Sequence, residues 1–296
     1  MRHLLELPNN RTKFLAKILK QFIICMKFIL IPFAIVGILF FILLAANIYQ
    51  KRKRGACGCG DDELDKKNTG TTEKAKMKLV ELNQISQESV NTLTDSFDRL
   101  PYTDHRDGKY RLRRYSVVEL RTSFWNAKEE AEIIQLPQRD FQQDEKLNEK
   151  QDMWHQGESR SFELIEDEVL QSEGMKEICL TFKHANDLID GQEVEIHQMR
   201  VITQEDGTAE VAPDGIHQDG FDYLAVVGIK RHNIEGGTLM VYGDSGLEPP
   251  FVKKPLHSGE MIVLNDSKLW HNASPLKTVN ILEQGYADWF ILCASK

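Results

Sequence analysis

What the sequence has little of narrows it first. Its 296 residues include only five cysteines, an odd number without regular spacing. That excludes a disulfide framework and fits a reducing compartment. No segment interleaves basic with aromatic residues, and the net charge is −8, so nucleic acid is not an expected partner. No internal repeat or low-complexity block occurs, which removes solenoids and propellers. Long amphipathic helices do not alternate with strands, so a doubly wound parallel sheet is disfavoured. At 41% hydrophobic and 28% charged the chain has an ordinary globular composition, but its apolar residues are unevenly spread.

The run Phe28–Ile48, "FILIPFAIVGILFFILLAANI", carries no charge. At about 1.5 Å per residue a helix there reaches across a hydrocarbon core of about 30 Å. It predicts a single-pass membrane protein, since the run is too long for a signal peptide and "KRKR" follows at once. Arg11, Lys13, Lys17, Lys20 and Lys27 on one side face Lys51, Arg52, Lys53 and Arg54 on the other, so charge does not orient the span. Cys57 and Cys59 offer acylation sites or form part of a plain linker. An "NAS" acceptor at Asn272 lies directly after His271. A glycan there would obstruct a site at His271, which favours a cytosolic over a lumenal domain.

The remaining organisation reads as a basic segment 1–27, a tether 49–72, an amphipathic lead-in helix 73–98 and a domain 99–296. Leu79, Leu82, Ile85, Val90, Leu93 and Phe97 recur at helical spacing. Beyond residue 99 come short runs such as "EVEIHQMRVI", "FDYLAVVGI", "GEMIVLND" and "DWFILCA", rich in β-branched and aromatic residues and punctuated by Gly and Asp. Such a pattern predicts a mainly β fold, an antiparallel double sheet of jelly-roll type with flanking helices.

Two H-x-D pairs occur, and nine histidines in an acidic chain make such a pair unremarkable by itself. His105 and Asp107 lie in a turn-like polar segment. His217 and Asp219, in "APDGIHQDGFDYLAVVGI", precede a strand, where side chains two apart share a face. His271 follows a strand of its own and offers a third ligand. Two histidines and a carboxylate on one face of a metal leave positions open, as non-haem Fe(II) requires, although Zn²⁺ with a water takes the same ligands. The other histidines, His155, His184, His197, His232 and His257, read as structural or surface residues.

In order, "YRLRRYS", "LPQRDFQQDEKLN", "HQGESRSFELI", "EVEIHQMRV", "APDGIHQDGFDYL", "RHNIEGGTLMVYGD" and "LNDSKLWHNASPL" resemble the 2-oxoglutarate-Fe(II) dioxygenases that include bacterial free isoleucine and leucine hydroxylases. The resemblance runs over roughly residues 99 to 292. It implies a double-stranded β-helix, with His217, Asp219 and His271 holding Fe(II) and 2-oxoglutarate and O₂ as cosubstrates. The reaction it implies decarboxylates 2-oxoglutarate to succinate and hydroxylates an unactivated C–H bond of a small-molecule substrate such as an amino acid. Asn233, Gly236 and Gly237 match the family's "NI.GG" hairpin, while Gln142, Asn148, Arg160 and Arg200 sit at matching polar positions, one of the two arginines being expected at the pocket. Trp270 reads as packing and Asp214 as a turn residue.

One position departs from the resemblance. Relatives carry an arginine in "GYRD" on the last strand, where a guanidinium offers two parallel N–H bonds to the far carboxylate of 2-oxoglutarate. Here the text is "GYAD", with Ala287. Either another cation, among Arg200, Arg231, Lys268 and Lys277, takes over, or the cosubstrate differs, or the domain binds without turnover, as a catalytically inactive scaffold. Arg200, Arg231 and Lys277 are the expected cosubstrate-binding residues.

Overall fold

The computed structural model describes residues 79–125, 128–141, 159–243 and 249–296, all within the compact unit Asn68–Lys296. Its centre is a seven-stranded sheet in the order β1-β10-β6-β13-β4-β2-β3. These strands are Val80–Gln84 (β1), Arg111–Trp125 (β2), Lys128–Gln135 (β3), Gln192–Ile202 (β4), Tyr223–His232 (β6), Glu260–Asn265 (β10) and Tyr286–Ala294 (β13). Every neighbouring pair is antiparallel. Two three-stranded sheets complete the fold. One joins Trp270–Ala273 (β11), Thr238–Tyr242 (β8) and Val252–Pro255 (β9); the other joins Thr208–Ala209 (β5), Leu276–Thr278 (β12) and Ile234–Gly236 (β7). The result is the expected jelly-roll-like arrangement of curled antiparallel sheets.

Alternation along the strands divides the large sheet into two faces. Val118, Ile196, Phe290 and Leu292 join the main core with Val90, Leu93 and Phe97 and with Ile178 and Phe182. Those partners come from helices α1 (Gln87–Thr94) and α3 (Glu173–Ala185) and the 3₁₀ turn Asp95–Arg99; a short helix α2 (Asp167–Leu170) precedes α3. Both longer helices start at a serine whose side chain accepts a backbone N–H of the first turn, Ser86 from Ser89 and Ser172 from Met175. Met199, Val201, Ala287 and Trp289, one residue out of step with the core set, face the other way.

Two expectations are corrected. The lead-in helix 73–98 does not extend through its described part, because Val80–Gln84 is a strand paired with β10. Its apolar spacing suits a helix, but the free edge of β10 supplies backbone partners there, and helix begins only at Gln87. The second correction concerns the membrane. No helix among the described residues is long and apolar enough to cross one. The longest, α3, has 13 residues, about 20 Å at 1.5 Å per residue, and is amphipathic to cover a sheet. The single-pass fold class and membrane localisation are therefore not carried further. The run 28–48 behind them lies outside the described residues, as do segments 1–27 and 49–72.

Candidate active site

His217 lies in the loop between β5 and β6, and His271 lies on β11. Their backbones exchange two hydrogen bonds of 2.9 Å, which fixes the two side chains side by side. The ring centres are 4.3 Å apart. Asp219, two residues after His217, places its carboxylate oxygens 3.5 Å from Nε2 of each histidine. One ligand atom from each residue thus falls within 4.8 Å of the others. His105 and Asp107 do not take part: Asp107 pairs with Arg111, and His105 contacts the Ser161 carbonyl at 3.1 Å.

The trio is held from behind. Gly215 O accepts from His217 Nδ1 at 2.9 Å, which leaves Nε2 free for a metal. Asp266 is fully buried. Its Oδ2 accepts the backbone N–H groups of Asp219, Gly220 and Phe221 at 2.9, 3.0 and 3.3 Å. Its Oδ1 lies 3.3 Å from His271 Nδ1, close enough for attraction but misaligned for a full hydrogen bond. One carboxylate therefore sets both the Asp219 loop and the His271 ring, the usual support of a metal-bound imidazole. Burial alone would raise the Asp219 carboxyl, yet His217 and His271 hold it well below the ordinary value. Burial would lower His271, but Asp219 and Asp266 lift it to about 10. A divalent cation replaces the shared proton in such a site, and two imidazoles and a carboxylate suit Fe(II).

Beside the trio a cavity of about 110 Å³ opens between the large sheet and the smaller ones. Its walls are partly aliphatic, with Leu224, Val226, Leu239 and Ile291. Register arranges the residues on this face of the large sheet in rows. Arg111, Val201, Ala287 and Arg231 form one row across β2, β4, β13 and β6, and Arg113, Met199 and Trp289 form the next.

The arginines and lysines named from the sequence separate sharply. Arg200 turns to the helix side, where Nε and Nη2 grip Asp288 at 2.6 and 2.9 Å and Nη1 holds Asp98 at 2.7 Å. Lys277 is exposed on β12, 3.5 Å from Glu235. Neither faces the cavity, which corrects the expectation that they bind cosubstrate, and Lys268 is exposed as well. Arg231 does not line the cavity either, but it stands directly across from Ala287, on the sheet face that carries Met199 and Trp289 of the cavity wall. Its Nη2 donates to Gly236 O at 2.6 Å, while Nη1 is buried without a hydrogen-bond partner among the described residues. Burial lowers its pKa, with no carboxylate to offset the effect. Gly237, at φ +58°, gives it room, because a Cβ there would come within 2.7 Å of Leu276 and 3.2 Å of Arg231 Nη1.

Of the two family-matched arginines, Arg160 lines the cavity and Arg200 does not. Asp214 also lines it, and Trp270 does not. Gln142, Asn148 and His155 lie outside the described residues. Sequence reading missed four residues. His197, read as structural, lines the cavity, and burial together with the charge of Arg113 keeps its pKa well below normal. Arg111 and Arg113 also line it, and Asp266 supports the metal trio. The "RLRR" alternation and the "ND" ahead of His271 were the available signals.

Solved structures of similar fold include a bsmA homolog from Methylobium petroleophilum PM1, 21% identical, with 77% of this chain and 92% of that one covered at a TM-score of 0.55. IDO from Bacillus thuringiensis is 16% identical, with 77% and 98% covered and a TM-score of 0.57. The Fe(II)/(alpha)ketoglutarate-dependent dioxygenase TqaL is 11% identical, with 77% and 86% covered and a TM-score of 0.52. At these identities the likeness is one of fold. No curated protein matches the chain. The family model described as 2OG-Fe dioxygenase matches residues 94–293, which takes in the metal trio and the cavity wall, and the chain belongs to this family of Fe(II)- and 2-oxoglutarate-dependent dioxygenases.

Proposed function

We propose that this enzyme hydroxylates an unactivated C–H bond of an amino acid or related small molecule, with His217, Asp219 and His271 as the iron ligands and Arg231 as the anchor for the far carboxylate of 2-oxoglutarate. Bound there, iron supplies the redox chemistry that couples 2-oxoglutarate decarboxylation to oxygen insertion. One observation carries the reading: Arg231 Nη1, buried and without a hydrogen-bond partner among the described residues, stands across from Ala287 on one sheet face and beside Gly237 of the cavity wall. Neighbouring strands are about 4.8 Å apart, so a guanidinium on β6 reaches much of the space that one on β13 would serve. A buried guanidinium without an anion is costly, and a carboxylate arriving there would satisfy it.

The chain's other residues support the same chemistry. Asp266 orients His271 and the Asp219 loop, so the metal site is formed before substrate arrives. Aliphatic walls at Leu224, Val226, Leu239 and Ile291 keep water from the reacting carbon. A second reading, a domain that binds metal without turnover, is favoured by Ala287 itself.

Succinate formation from 2-oxoglutarate by the full-length protein with Fe(II), compared with His217→Ala, separates the two. Iron-dependent succinate that disappears in the variant supports the enzyme. Iron binding without succinate at any tested substrate selects the binding domain, and absence of micromolar iron binding sinks both.

A further inference from the structure

One buried cation that lines the cavity, Arg113, is not explained by the cosubstrate. Arg113 stands on β2 in register with Met199 of β4 and is only 7% exposed. Its guanidinium carbon lies 5.3 Å from the centre of the Phe162 ring and 6.0 Å from that of Phe141. The polar contact it makes among the described residues is from Nη2 to the Met199 sulfur at 3.3 Å, and a thioether is a weak acceptor. Arg160 stacks 4.9 Å from the same Phe141 ring. Arg111, the next cation on the same face of β2, already pairs with Asp107. Burial, then the charges of Arg111 and Arg160, push the pKa of Arg113 well below its ordinary value. The surrounding protein thus opposes its charge, the condition under which a guanidinium binds an incoming anion most strongly.

Position separates this charge from the cosubstrate anchor. In the large sheet β13 and β4 lie between β6 and β2, so Arg231 and Arg113 start three strand intervals apart. That is about 14 Å of sheet. A keto acid held to the metal by one end has a single free carboxylate and serves one of the two positions. The other is left for the second reactant.

On the reading given above, we propose that Arg113 binds an anionic group, a carboxylate or a phosphate, of the primary substrate. The substrate is then an acid, held by its charged end on the β2 side of the cavity with its reacting carbon towards the metal trio. Phe141 and Phe162 hold the guanidinium plane in place, and its two forward N–H groups read a planar carboxylate or two phosphate oxygens. A neutral analogue of the same shape leaves this charge unpaired and is rejected.

The test uses the full-length protein with Mn(II) and saturating 2-oxoglutarate, titrated calorimetrically with propionate and separately with inorganic phosphate. The wild type binds one or both, and Arg113→Met weakens that binding about tenfold or more. Arg113→Lys, which keeps the charge but loses the fork, weakens it by about threefold to tenfold and carries the test where Arg113→Met does not fold. Binding of propionate alone assigns a carboxylate, and binding of phosphate alone assigns a phosphate. Both variants keep Mn(II) and 2-oxoglutarate binding within about threefold of wild type. The proposal is overturned if neither anion binds the wild type, if the variants bind as tightly, or if Arg113→Met loses 2-oxoglutarate instead, which would make Arg113 the cosubstrate anchor. Failure of the wild type to bind Mn(II) or 2-oxoglutarate counts against the functional reading instead, and the same anion titrations without metal then test Arg113 alone.

Discussion

Two faces of the large sheet hold opposite kinds of charge. On the helix side of β4 and β13, Arg200 and Asp288 form a two-pronged pair, with Asp98 closing the remaining side. On the opposite face of the sheet the flanking strands β6 and β2 carry Arg231 and Arg113, which make no ion pair with a carboxylate among the described residues. The first face is finished by the chain itself, and the second is completed by what binds. Residues of one sheet thus divide between holding the fold and receiving ligands, because side chains alternate between its two faces.

The sharpest way to break this comparison is to remove one partner on each face. Asp288→Asn leaves Arg200 buried against a neutral group and is expected to destabilise the protein by about 3–5 kcal/mol, read as a lowered denaturant midpoint. An effect below about 1 kcal/mol would show that Asp98 alone satisfies Arg200. Arg231→Met is expected to do the reverse. Stability holds or rises slightly, while 2-oxoglutarate binding to the Mn(II) protein weakens by about 2 kcal/mol or more, roughly thirtyfold. The double variant Arg231→Met with Ala287→Arg moves the guanidinium back across the strand pair and restores part of that loss. Unchanged 2-oxoglutarate affinity in Arg231→Met would remove Arg231 from the site.

Support of the metal trio is expected to be a smaller term. Asp266→Asn keeps the size of the side chain but removes its charge from His271 and weakens its hold on the Asp219 loop. Mn(II) affinity should fall by about tenfold to a hundredfold. An affinity within twofold of wild type would show that Gly215 and the His217–His271 backbone bridge orient the ligands without it. At the end of the scale stands Lys277→Ala. This exposed pair with Glu235 should change stability by less than about 0.5 kcal/mol and leave 2-oxoglutarate binding untouched.

Much of the fold was legible from residue order, because strand alternation and Gly and Asp punctuation are local signals. The metal trio was legible for a related reason: His217 and Asp219 are two apart, and His271 ends its own strand run. The cationic residues were not. Arg111, Arg113, Arg200 and Arg231 all occur in strand-like text, and nothing local distinguishes the one that meets Asp288 from those that line the cavity. The start of the first helix was misread in the same way, since Val80–Gln84 carries a helical spacing that the edge of β10 overrides.

By itself the sequence determined the strand runs, the His217–Asp219 pair with His271 after a strand of its own, and the alanine at position 287, since each is a property of residue identity and local pattern. Tertiary structure alone decided which cations line the cavity, that Arg231 stands across from Ala287, and that Asp266 reaches both the Asp219 loop and His271. Those relations depend on strand register and on which face of the sheet each residue occupies. A shift of one residue in register would exchange every one of them.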